Sequence, residues 1–235
     1  PCENSYSLIR TWTATDNCGN ESTGTQLVTV IDEIDRHDPD VLAVMEFTNL
    51  WPGIFGGYQS RYPHQFIQPR WHGYGVAIFS KRPLTQTRCV QLLDGQTDAP
   101  IASAQLEVGR ATIRLLATHL ISPVTPFRAQ SRNRQLVDVA DVVNRQSVPT
   151  VLVGDFNAAA WSPYMQDLLA ATGLRDSRNG FGFQGTWHNQ HPWLVTPIDH
   201  ALVSPTIHVH QRFVGNPTGS DHLPVIIDVS VAAEP

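Results

Sequence analysis

At 235 residues, 41% hydrophobic and 16% charged, the chain is long enough to bury a substantial core as one globular domain. A formal net charge of −5 argues against the basic footprint of non-specific nucleic-acid binding, and no apolar run approaches the ~18 residues of a membrane span. The three cysteines leave the compartment open: Cys2 and Cys18 could pair in an oxidising one, with Cys89 as a buried strand thiol.

Taken in order, Ser7 to Ala14 reads as a strand, Asp16-Asn17-Cys18-Gly19-Asn20 as a turn cluster and Gln26 to Val30 as a second strand-like run. Leu27, Val30, Ile31 and Ile34 also fall at helical spacing, and Asp38-Pro39 stops that helix before the apolar run Val41 to Met45, which ends on Glu46. Trp51 to Arg70 is aromatic and irregular, with Arg61, His64 and Arg70 available to a substrate. Tyr74 to Phe79, Leu84 to Leu93, Ile101 to Glu107 and Ala111 to Ala117 read as strands, the loops between them opening at Asp94-Gly95 and Val108-Gly109-Arg110. The last of these strands runs into Thr118-His119.

A Pro-broken loop then leads at Pro126 into a helix through Asn144, with Arg128, Arg132 and Arg134 near its start. Guanidinium forks there match phosphate oxygens, although a solvated helix face needs no function. Val151 to Asn157, Val-Leu-Val-Gly-Asp-Phe-Asn, is an apolar strand that delivers Asp155 and Asn157 at its carboxyl end. Two apart in extended geometry, they share a face opposite Phe156; turn duty is the alternative use of both. Ser162 caps and Pro163 opens a helix that Gly173 ends, and Leu174 to Thr196 is a long loop. Asp199 and His200 begin the strand Ala201 to Val203, and Ser220-Asp221-His222 follows a Gly- and Pro-containing loop and precedes the strand Leu223 to Val231. His188 and His191 lie in the long loop, and His208 and His210 alternate with Ile207 and Val209 as on an exposed strand face.

Five apolar runs thus border an Asp, Glu, His or Asn, which points to one shared site. In order, Glu46, Thr118-His119, Gly154-Asp155-Phe156-Asn157, Ile198-Asp199-His200 and Ser220-Asp221-His222 resemble the endonuclease/exonuclease/phosphatase superfamily of metal-dependent phosphoesterases, over roughly Gln26 to Val231. Trp161-Ser162-Pro163 is similar to the same segment in a bacterial subgroup. The resemblance implies an α/β fold, a four-layer α/β sandwich of two packed mixed β-sheets flanked by helices, with these residues at one end. It divides the chain at 25/26: residues 1–25 form an atypical segment and residues 26–235 the hydrolase-like domain. Thr11 to Asn20 instead resembles extracellular Ig-like repeats of bacterial adhesins and gliding proteins.

The same resemblance implies the chemistry. Glu46 and Asp221 would hold Mg²⁺ or Mn²⁺, a hard cation that offsets charge on phosphoryl and leaving oxygens. Asp155 would orient or deprotonate the attacking water, Asn157 would position it with the phosphate, His222 would face the phosphoryl group with Asp199 fixing its tautomer, and His119 would be the second phosphate-facing imidazole. The family's first strand normally ends in a metal-binding Asn, and that motif is missing. Asn17, 29 residues before Glu46, could stand in; Asn20 competes, and both could be turn residues. Arg132 and Arg134 are candidate substrate contacts. The expected partner is a phosphoester, whether nucleic acid, phospholipid or small phosphodiester, acted on by a monomer; Trp51, Phe55, Trp71, Trp187 and Trp193 would suit an amphiphile. The competing class is an impaired pseudoenzyme or binding module. The chain begins at Pro1 rather than Met, so a signal or membrane anchor could precede it and place it outside the cytoplasm.

Overall fold

A computed structural model describes residues 8–15, 21–28, 30–49, 56–92, 98–187, 193 and 195–231, with side chains from Asp32 onward. Asn17, Asn20, Cys2, Cys18, Trp51, Phe55, His188 and His191 lie outside the described residues.

β1 (Leu8–Thr15) and β2 (Glu21–Val28) pair antiparallel with Leu8 opposite Val28. Because β2 takes Leu27 and Val28, the helical spacing that begins at Leu27 is realised only from Val30, in α1 (Val30–His37). β3 (Val41–Met45), β4 (His64–Gln68) and β5 (Val76–Ser80) form an antiparallel sheet in the order β3-β5-β4. β4 falls inside the Trp51 to Arg70 stretch expected to be irregular. Its five residues take their order from pairing with β5, with Phe66 opposite Ile78, so the strand depends on a partner that local pattern does not reveal. Arg61 and Arg70 are engaged there by Asp35 and Asp38 and by Asp98, respectively.

The larger sheet runs β10-β11-β9-β8-β7-β6, built from β6 (Thr85–Gln91), β7 (Pro100–Val108), β8 (Ala111–His119), β9 (Thr150–Asp155), β10 (Arg175–Asp176) and β11 (Asp199–Val203). Its one parallel pair is β8 with β9, and the crossover between them is α2 (Pro126–Asn144). Thr125 caps α2 by accepting from the Arg128 N–H at 3.2 Å, and Pro126 opens it. α3 (Pro163–Thr172) ends at Gly173, whose φ of 67° is the left-handed conformation that glycine adopts without a Cβ penalty. Ser162 sits at its N-cap as expected, but the hydroxyl makes no capping bond. The hairpin β12 (Ile207–Val214) and β13 (Val225–Val231) completes the fold, with His208 and His210 exposed on β12.

Among the described residues, three apolar clusters hold the layers together. Leu136, Val139 and Val143 of α2 and Met165 and Leu168 of α3 pack with Leu116 and Leu152 on one face of the large sheet. The opposite face sends Ala104, Leu115 and Val151 against Val76 and Ile78 of β5, with the β12–β13 hairpin alongside. Ile34 of α1 covers Phe47, Ala77 and Phe79 on the outer side of the small sheet. These contacts give the four-layer α/β order of helices, sheet, sheet and helix.

The parallel β8–β9 pair brings the two strand ends close enough that only glycine fits between them. A Cβ on Gly154, whose φ is 151°, would stand 1.8 Å from the Thr118 carbonyl oxygen. Gly154→Ala is therefore expected to cost roughly 2–6 kcal/mol from overpacking and backbone strain together. Urea unfolding checks it, and a wild-type midpoint in the variant would contradict this close approach.

Asp176, on the edge strand β10, supports the site region from behind. It accepts from the Arg178 backbone N–H at 2.9 Å and from the Arg178 guanidinium, and it faces His200 Nδ1 at 3.8 Å. Burial alone would raise its pKa, but His200 and Arg178 together hold it well below the usual carboxylate range. A depressed folded-state pKa contributes stability above the unfolded value near 3.9, and that contribution is lost as pH falls through the folded value. Asp176→Ala should therefore cost about 3–5 kcal/mol at pH 7, with the penalty shrinking below about pH 4. Denaturation at pH 7 and pH 3 reads both values.

Candidate active site

Five segments deliver the site residues to one edge of the sandwich. β8 and β9 end in register at His119 and Asp155, and antiparallel β11 begins at Asp199 opposite Asp155. Asp221 and His222 come from the segment before β13, and Glu46 follows β3 directly. Glu46 has a φ of 56°, a conformation costly for a residue with a Cβ. Its neighbour holds it there: Phe47 is fully buried, its N–H donates to Gly75 O at 2.9 Å, and a Cβ on Gly75 would stand 1.9 Å from the Phe47 carbonyl oxygen.

The residues meet in a cleft of about 520 Å³ lined by Glu46, Tyr74, His119, Asp155, Asn157, Trp187, Asp221 and His222, among others. Asp155 Oδ2 is its hub. It lies 3.0 Å from Asn157 Nδ2, 3.3 Å from His119 Nε2 and 3.8 Å from His222 Nε2. Asn157 does not continue the strand as expected. β9 stops at Asp155, and Asn157 turns left-handed with a φ of 48°, so that its backbone N–H reaches Asp155 Oδ1 at 2.7 Å while its side chain folds back on Oδ2. Turn duty and site duty therefore coincide in the same two residues.

Both imidazoles are pushed above the ordinary histidine value. His119 Nδ1 donates to Gly73 O at 3.1 Å, leaving Nε2 for Asp155. Burial would lower its pKa, but Asp155 and then Glu46 raise it above the ordinary histidine value. His222 Nδ1 lies 2.9 Å from Asp199 Oδ2. Against burial, Asp199, Asp155 and Asp221 raise His222 to about 9. With Asp199 on Nδ1, the His222 imidazolium presents a donor at Nε2, which suits a phosphoryl or leaving oxygen.

Asp155, Asp199 and His222 place one potential ligand atom each within 4.8 Å of one another. Glu46 and Asp221 add two further carboxylates at the same cleft, and Asp221 Oδ2 accepts from Trp187 Nε1 at 3.0 Å. The donor set is rich in hard oxygen and contains no thiolate, which fits Mg²⁺ or Mn²⁺ better than a structural zinc.

Arg132 and Arg134, expected near substrate, are not among the cleft-lining residues. Arg132 donates through Nη1 to the Asn157 carbonyl and through Nε to Asn133 Oδ1 at 2.8 Å, whereas Arg134 is exposed on α2. Sequence reasoning missed Tyr74, whose ring lies 5.1 Å from that of His119 and whose hydroxyl accepts from Arg128, and it gave Trp187 no link to Asp221. Both contacts join residues far apart in the chain, and no local motif signals either one.

Comparison with known proteins gives the family and the fold. Residues 16–222 match the Endonuclease/Exonuclease/phosphatase family, and the chain belongs to that family, whose members hydrolyse phosphoesters and are generally divalent-metal dependent. Among solved structures, 86% of the chain superposes on 65% of an endonuclease/exonuclease/phosphatase from Beutenbergia cavernae DSM 12333 with a TM-score of 0.71 at 20% identity. The same share superposes on 90% of D. rerio TDP2 complexed with single-strand DNA product (TM-score 0.74, 16% identity). It also superposes on 85% of the human Nocturnin catalytic domain with bound sulfate (TM-score 0.69, 19% identity). No curated protein matches the sequence. Among the described residues, no helix is long and apolar enough to cross a membrane.

Proposed function

We propose that the chain is a divalent-metal-dependent phosphodiesterase whose cleft cuts a P–O bond with a water that Asp155 activates. The observation that carries this reading is the convergence of His119 Nε2, His222 Nε2 and Asn157 Nδ2 on Asp155 Oδ2 in one cleft. Asp155 takes a proton as the water oxygen forms its bond to phosphorus, and the bond to the leaving oxygen breaks. Asn157, whose amide hydrogens go to Leu120 O and Asp155, accepts from the water through Oδ1, His119 shares its Nε2 proton between Asp155 and the phosphoryl group, and His222, oriented by Asp199, supports the charge that develops. Glu46 and Asp221, and Asn17 if the N-terminal segment reaches the site, would hold Mg²⁺ or Mn²⁺. Such a cation offsets negative charge on the phosphoryl and leaving oxygens.

Calorimetric titration with Mg²⁺ and Mn²⁺ tests the ligand assignment. One site is expected in the wild type, weakened at least tenfold in Glu46→Gln and in Asp221→Asn. Unchanged binding in both variants would remove them as ligands, and no binding in the wild type would favour a pseudoenzyme or binding module that lacks the first-strand Asn.

The substrate reading rests on the mouth of the cleft. Trp71 (81% exposed) adjoins the lining residue His72, Val124 (69%) lines the cleft itself, exposed Phe127 follows in the first turn of α2, and exposed Trp161 lies in the turn before α3. With no Lys or Arg among the described residues that line the cleft, this surface favours an amphiphilic phosphodiester over a long nucleic acid. A turnover screen over phospholipid micelles and single-stranded DNA distinguishes them; preference for DNA would overturn the amphiphile.

A further inference from the structure

The Asn157 turn is held from two sides by groups that the chemistry above does not use. The Asn157 carbonyl accepts from Arg132 Nη1 on α2, and the next carbonyl, Ala158 O, lies 2.8 Å from His200 Nε2 on β11. A carbonyl only accepts, so Nε2 carries the proton in that bond. His200 is 2% exposed, with the Phe156 ring edge-on at 5.3 Å and Asp176 behind it. Its rotation is therefore blocked. Between the two anchors Asn157 keeps its φ of 48°, and its amide donates to Leu120 O at 2.9 Å and to Asp155 Oδ2 at 3.0 Å. A left-handed non-glycine residue persists only where its surroundings over-determine it.

We infer that Arg132 and His200 are paired positioning residues, which by holding successive carbonyls of the Asn157–Ala158 turn fix the Asn157 amide against Asp155. Arg132 thereby acts through Asn157 rather than through substrate. The catalytic consequence rests on the role proposed for Asn157; the structural consequence stands without it. Loss of either anchor lets the turn relax toward ordinary backbone, and the amide leaves Asp155. A displacement of about 1 Å at a reacting group costs on the order of 10²-fold in rate.

Four single variants and one double test this. Arg132→Met and His200→Leu remove the donors, whereas Arg132→Lys and His200→Gln restore one at nearly the same reach. The expected result on a soluble phosphodiester is a kcat about 10²-fold lower in Arg132→Met and His200→Leu, with KM within a few-fold. Lys and Gln should recover most of that loss. Arg132→Met/His200→Leu should be little worse than the poorer single, because both act through one turn. Should His200→Leu fail to fold, half-buried Arg132 still carries the test. An unchanged kcat per folded molecule, no rescue by Lys or Gln, or a double equal to the product of the singles would overturn the pairing.

A readout independent of turnover separates this inference from the proposed function. In protein labelled with ¹⁵N-asparagine, the Asn157 side-chain and backbone amide resonances should shift in Arg132→Met and return toward wild type in Arg132→Lys. If the wild type hydrolyses no phosphodiester, the hydrolase reading fails and the resonances still decide the clamp; unmoved resonances would overturn it.

Discussion

Replacing Asp155 with alanine is expected to lower metal-dependent turnover by about 10²–10⁴-fold, the range typical of a positioned acid/base or electrostatic group. The fold should survive. Asp155 is tied into the sheet by its backbone, which pairs with β8 and β11 and whose carbonyl accepts from the Leu120 N–H at 2.9 Å, and none of this requires the carboxylate. Without the carboxylate, His119 loses the partner that offsets its burial, so its pKa should fall from its raised position, which an NMR titration reads directly. Asp155→Asn supplies the control for shape. It fills the same space and keeps one of the two acceptors for Asn157 while the charge and the second acceptor are lost, and it should be nearly as inactive as the alanine variant. Full turnover in Asp155→Asn would take proton abstraction away from this residue.

The second large effect is expected at the Asp199–His222 pair. His222→Ala should cost about 10²–10⁴-fold, because it removes the donor facing the phosphoryl group. Asp199 never faces that group, yet it holds His222 Nδ1 at 2.9 Å and is the strongest influence opposing the burial that would discharge the ring. Asp199→Asn should thus lower kcat in the same direction by a smaller factor. Combined with His222→Ala it should add little, as residues acting as a unit are non-additive. Steady-state kinetics on the two singles and the double measure this coupling; two independent, multiplying losses would mean that Asp199 has a role apart from orienting His222.

What the sequence revealed and what it hid have the same physical origin. Gly154 to Asn157, Asp199-His200 and Asp221-His222 are contiguous motifs at strand ends, so residue type and local pattern suffice to find them; sheet register sets Asp155 opposite Asp199, and a bridge to Trp187 places His222. The α2 helix from Pro126 to Asn144 was equally legible, because its cap, its opening proline and its apolar face are all local. β4 was not, because its five residues are ordered by β5 rather than by their own period. Nor was the left-handed turn at Asn157. The expected extended geometry gave way to two carbonyl anchors, Arg132 and His200, that stand 25 and 42 residues from the carbonyls they hold. Trp187 on Asp221 and Tyr74 on His119 belong to the same class of long-range contact, which side-chain packing creates and no spacing announces.

The most direct test of the central claim is release of p-nitrophenol from bis-p-nitrophenyl phosphate by wild type and Asp155→Ala, each with Mg²⁺, with Mn²⁺ and with a chelator. This substrate asks for the bond cleavage without asking for recognition. Turnover that requires the metal and is lost in the variant is the predicted result. Turnover that persists in the chelator or in Asp155→Ala, or no turnover with either metal, would contradict the assignment of this cleft as a metal-dependent phosphodiesterase site.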